Sequence, residues 1–233
     1  MRALVLVCLC FAGSLLASPG SVFTFPWSGP EDDTLFTSVE EVTPPADANI
    51  DFMARDQSIS DDCIHSDISA ATLGTIVNIG EKVWKLIEKN KPVVDVRYTY
   101  ANAIPECVKS SSELERFSDL QSRSFRMHAK NWFGSTVYDV TYTLLHRFGG
   151  SYKGRGQFLE NVTVLPSKVS ALWGYTVNMN VTNVSAVNVG TTDSPIGSVL
   201  MDMNFSVSTV FKAHQVRSVF QFRGDSNRAI AVN

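Results

Sequence analysis

Charge is scarce in this chain. Only 18% of its 233 residues are Asp, Glu, Lys or Arg, against a common share of about 25%, which excludes a solvated coil over the whole length. Proline and glycine, at nine and 14, are neither rich enough nor periodic enough for a collagen-like or low-complexity chain. Beyond the N-terminus no stretch approaches the ~18 continuous apolar residues of a spanning helix, so an internal helical span is excluded. Chemistry-bearing motifs are missing as well. The four histidines, His65, His128, His146 and His214, fall in neither HExxH nor a His-x-His pair. There is no G-x-S-x-G elbow, no CxxC and no phosphate-cradling G-x-x-x-x-G-K-S/T. The expectation is a non-enzymatic protein without cofactor or metal, and a hydrolase site converging from separate strands is the weakest alternative. Residues 63–233 hold 18 bases and 13 acids with no basic run, which argues against nucleic acid as a partner.

What is present begins with a secretory pattern. Arg2 precedes the apolar run Ala3 to Leu16, and the small residues Ala17, Ser18 and Gly20 follow, so residues 1–17 read as a signal peptide. The localisation this implies is secreted or extracellular. Of the four cysteines, Cys8 and Cys10 leave with the signal. Cys63 and Cys107 remain as an even pair in an oxidising compartment, which predicts one disulfide. Asn161, Asn180, Asn183 and Asn204 each open an Asn-x-Ser/Thr triplet and are candidate glycan acceptors.

Charge then divides the mature chain. Residues 18–62 carry ten acids and a single base, Arg55, together with five prolines, and show no apolar period. That composition buries too little area to offset ordering entropy, and predicts a disordered leader or propeptide. The folded domain is expected over residues 63–233. Between residues 70 and 90, Leu73, Ile76, Val77, Ile79, Val83, Trp84, Leu86 and Ile87 gather on one half of a 3.6-residue wheel, opposite Lys82, Lys85 and Lys89. The spacing predicts one amphipathic N-terminal helix.

After Pro92 the period becomes two. Val94–Tyr100, Phe125–Lys130, Tyr138–Leu144, Trp173–Thr182, Val199–Ser208 and Val216–Phe222 alternate apolar with polar residues, and 157–165 and 184–190 bring the total to about eight strands. Asn131-Trp132-Phe133-Gly134, the glycine-rich stretch 149–156 and residues 191–195 read as turns. The fold class expected is mainly β: an antiparallel β-sandwich or strongly curved sheet carrying the helix. Within 149–156, Tyr152, Lys153 and Arg155 place one ring and two cations on a loop, a candidate ligand contact. The function expected is a secreted binding or structural protein whose extracellular ligand or protein partner the sequence does not name. The alternative is a membrane-active or pore-forming protein that presents the amphipathic helix and the Ser/Thr-rich strands to a membrane surface.

Overall fold

The alternating runs become strands. The computed structural model describes residues 23–25, 36–43, 73–78, 83–87, 94–210 and 213–232. In chain order the strands are β1 (Phe23–Phe25), β2 (Phe36–Val42), β3 (Ile76–Val77), β4 (Val83–Ile87), β5 (Val94–Thr99), β6 (Ala101–Pro105), β7 (Gln121–Lys130), β8 (Thr136–Tyr152), β9 (Arg155–Ala171), β10 (Thr176–Asn188), β11 (Gly197–Ser208), β12 (Ala213–Arg223) and β13 (Ile230–Val232). They form a seven-stranded sheet in the order β1-β2-β7-β8-β9-β6-β3 and a six-stranded sheet in the order β13-β12-β11-β10-β5-β4. Neighbours run antiparallel except β5 and β10, which are parallel from Val94 and Val177 onward. The expected mainly β class holds, and the two sheets share one apolar core.

The helix expected over residues 70–90 is not formed. Leu73 and Gly74 are the only described residues in α-helical conformation, and Ile76–Val77 and Val83–Ile87 are strands. β3 pairs with β6 through Ile76↔Pro105 and Val77↔Ile104, and β4 pairs with β5 from Val83↔Thr99 to Ile87↔Asp95. The reason is physical. The stretch is dense in β-branched residues, which lose rotamer freedom in a helix, and Gly80 interrupts it. Two strands with open edges supply hydrogen bonds that outweigh the 3.6-residue pattern. Within the acidic stretch 18–62, the described residues include β1 and β2, and β2 extends the first sheet by pairing along β7 from Phe36↔Lys130 to Val42↔Ser124.

One chain segment belongs to both sheets. β5 lies in the second sheet and β6 in the first, so the chain crosses at Tyr100. Two threonines secure the crossing: Thr163 Oγ1 donates to the Thr99 carbonyl at 2.8 Å, and Thr99 Oγ1 donates to the Val181 carbonyl at 3.4 Å. Beside it, Asn102 N donates to Asn78 Oδ1 at 2.8 Å while Asn102 Oδ1 accepts from Asn161 N at 2.9 Å.

The core is organised along β8. Its inward residues Tyr138, Tyr142 and His146 are buried and recur every fourth position. Tyr138 meets Phe205 of β11 at 4.9 Å between ring centroids, Tyr142 meets Phe220 of β12 at 6.0 Å, and His146 meets Phe222 edge-on at 5.2 Å. Rings at these separations add about 0.5–1.5 kcal/mol per pair beyond the area they bury. The opposite face of β8 is buried too. Asp139 there accepts from Arg126 Nε at 2.8 Å and from Lys168 Nζ at 3.4 Å, while Glu40 reaches Arg126 at 3.3 Å. Hydrogen bonding from Arg126 holds the Asp139 carboxyl below its ordinary range. Four strands thus supply charges that cancel one another.

Two outcomes follow from this core. Phe205→Ala removes the ring that spans the sheets and is expected to cost about 3–5 kcal/mol in denaturant unfolding. His146 is buried, which holds its proton affinity below the ordinary value, although the hydrogen bond to the Ser226 carbonyl acts in the other direction. Its neutral form is therefore the native one. The unfolded chain takes up a proton near pH 6.5 while the fold does not, so stability is full above that pH and falls as pH drops toward the depressed native value. His146→Gln is expected to flatten the fall in melting temperature between about pH 7 and pH 5. A smaller fall remains from His214, also lowered by burial.

Candidate functional site

The ligand loop expected at Tyr152, Lys153 and Arg155 is a tight hairpin turn. Lys153 and Gly154 carry φ of 49° and 75°, and Tyr152 pairs with Arg155, the geometry of a two-residue type I′ connection. Both cations are already engaged: Lys153 Nζ lies 5.4 Å from the Tyr152 ring centre, and Arg155 reaches the Asp193 carbonyl at 3.5 Å. Gly150 and Gly156 make room for packed rings. A Cβ on Gly150 would stand 2.3 Å from the Phe117 ring. The structure therefore builds a turn from these residues.

Cys107 is buried beside the β3–β6 corner, and Cys63, its expected partner, lies outside the described residues, as does His65. His128, His146 and His214 stand on β7, β8 and β12 without converging. Among the described residues no three His, Cys, Asp or Glu side chains come together in a metal-binding group.

The four Asn-x-Ser/Thr asparagines have unequal surroundings. Asn180 is exposed on β10 and lies directly across from Asn204 on β11. Asn183, at the bulge between Asn183 and Ser185, has its Oδ1 buried without a hydrogen-bond partner. Asn161 is partly exposed, with a φ of 56° that asparagine tolerates better than most residues. Asn180 and Asn204 also line a shallow depression of about 240 Å³ on the outer face of the second sheet, with Asp95, Arg97, Asn178, Ser206 and Gln215. Amides, hydroxyls and one ion pair lie around this depression, with Met179 and Phe205 beneath it.

The two ends of the sandwich differ sharply. Turns 131–135 and 172–175 and residues 209–210 all lie at the same end, because Leu172 N donates to the Val137 carbonyl at 2.8 Å and Thr176 pairs with Ser208. On these segments Trp132 is 75% exposed, Phe133 88%, Leu172 39%, Trp173 88% and Val210 91%. Turns 131–135 and 172–175 are internally hydrogen-bonded. Asn131 N donates to the Ser135 carbonyl at 3.0 Å, Ser135 N to Asn131 Oδ1 at 2.9 Å, and Tyr175 N to the Leu172 carbonyl at 3.1 Å. Gly134 and Gly174, with φ of 78° and 89°, supply the left-handed positions these turns require. Trp132, Phe133 and Trp173 together present roughly 500 Å² of aromatic surface. The opposite end, with the turn at Lys153 and the segment 189–196, carries Lys153, Arg155, Asp193 and hydroxyl-bearing residues, with Val187 and Val189 partly exposed but no exposed tryptophan or phenylalanine among the described residues.

Sequence reading placed Trp173 on the inward side of a strand and treated Trp132 and Phe133 only as turn residues. The missed signal was two bulky aromatics inside a turn flanked by strands already apolar enough to fill the core.

For the asparagines, glycan mapping by mass spectrometry of protein expressed through a eukaryotic secretory pathway is expected to find Asn183 unmodified. Asn180 and Asn204 should not both be occupied on one molecule, since side chains facing across antiparallel strands start only about 5 Å apart.

Comparison with known proteins gives no match to a family model, to a curated protein or to a solved structure, so function is argued from the geometry of this chain.

Proposed function

We propose that this chain is a secreted, non-enzymatic binding protein whose binding surface is the apolar end formed by turns 131–135 and 172–175 with Val210. One observation carries the reading: Trp132, Phe133, Leu172, Trp173 and Val210 stand out of the fold together at one end, held there by hydrogen-bonded turns. A soluble protein leaving such surface bare loses roughly 25 cal/mol for each Å² that a partner would cover. Grouped exposure of this kind marks a contact site, whereas scattered single residues do not. Aromatic side chains are also the strongest anchors at binding surfaces, because they cover much area with few rotatable bonds.

The polar depression at Asn178, Asn180, Asn204 and Gln215 supports a weaker second reading, a site for a small hydroxylated ligand. It offers hydrogen bonds without an exposed apolar platform. The pore-forming alternative loses its helix, since residues 76–77 and 83–87 pair as strands.

The combined variant Trp132→Ala, Phe133→Ala and Trp173→Ala tests the proposal. The parent, fluorescently labelled, is expected to bind one or more members of a panel of intact cells in flow cytometry. The variant is expected to melt within a few degrees of the parent, because exposed side chains contribute little to folding, and to lose about tenfold or more of that binding. Equal binding by parent and variant, or no binding by the parent, would overturn the proposal.

A further inference from the structure

Resting on that reading of the apolar end, we propose that its occupant is the interface of an anionic membrane. Shape is the first argument. The aromatic residues sit at the tips of separate turns and protrude, whereas the depression described above lies on the face of the second sheet. Protruding tips suit a deformable interface, into which each side chain sinks independently. A protein partner would need a complementary cavity for every tip.

Residue chemistry is the second. Tryptophan concentrates at the boundary between headgroups and acyl chains, where the ring is dehydrated while its N–H keeps a polar partner. Phe133, Leu172 and Val210 add apolar bulk beside Trp132 and Trp173. Fixed turns mean that little side-chain or loop ordering is lost on docking.

Charge is the third. None of residues 131–135, 172–175, 209 and 210 is acidic or basic. Lys130, exposed at the end of β7, directly precedes the first turn. Behind it, Lys168 is largely exposed although it reaches Asp139. Among the described residues, the first acids back from the tips are compensated, Asp139 by Arg126 and Lys168, and Asp95 by Arg97 at 3.2 Å. Among the described residues, the apolar tip has bases behind it and no uncompensated acid beside it, which matches an anionic headgroup layer, where each exposed lysine strengthens binding about fivefold.

The experiment uses the full secreted chain and vesicles of two compositions, phosphatidylcholine alone and phosphatidylcholine with about one third phosphatidylserine. Flotation is expected to show binding to the second at least about tenfold tighter than to the first, weakening as salt is raised. Tryptophan emission should shift to the blue on binding and be quenched by brominated acyl chains. The variant Trp132→Ala, Phe133→Ala and Trp173→Ala should lose binding, shift and quenching together. Lys130→Glu should weaken binding to the anionic vesicles only. If the parent binds cells through the apolar end but floats with neither vesicle, the membrane proposal is overturned, the occupant is a protein, and the apolar end stands as the binding surface. If anionic vesicles bind parent and triple variant equally, both the membrane proposal and the apolar-end reading fall.

Discussion

The aromatic row along β8 holds this molecule together. Tyr138, Tyr142 and His146 each meet a phenylalanine of the facing sheet, so the contact between sheets is fixed at three levels along one strand. Both faces of that strand are buried over most of its length, and the charge on its outer face is neutralised by Arg126 and Lys168. With β8 fixed, its hairpin partners follow. β7 and β9 flank it, and their connections at the two ends take positions set by strand length.

Those connections then diverge in chemistry. At one end, Arg147 donates to the Ser118 carbonyl and to Glu160, and Ser111 Oγ also donates to Glu160, so the segment before β7 is tied down by polar contacts. At the other end turns 131–135 and 172–175 are short and internally hydrogen-bonded, which leaves their side chains outside. On the proposed reading, the fixed turns at the aromatic end hold a contact surface still. The functional reading depends on that asymmetry and on no single reactive group.

How much of this was legible depended on whether a strand has one wet face. β10 and β11 alternate cleanly because Asn178, Asn180, Asn204 and Ser206 face outward, and period two was readable there. β6 was not: Ala101, Ala103, Ile104 and Pro105 are all buried, so no polar alternation marks Ala101–Pro105 as a strand. The 70–90 segment misled because Ile76, Val83 and Ile87 satisfy a helical wheel, while the edges of β5 and β6 that claim them lie later in the chain. The glycine-rich stretch 149–156 was read as one loop, yet only Lys153 and Gly154 turn, since glycines inside β8 and β9 answer to Phe117 and Phe158. The aromatic end was hidden for a related reason. Its residues lie on three segments that adjoin only through pairing between β8 and β9 and between β10 and β11.

The central claim is that Trp132 and Trp173 are held in water by the fold before any partner arrives. Steady-state emission and acrylamide quenching of a Trp27→Phe, Trp84→Phe variant, which keeps only those two indoles, tests it most directly. The account predicts water-like emission and quenching close to that of free tryptophan, with a cooperative melt intact. Blue-shifted emission and shielded indoles in the folded, ligand-free protein would contradict it.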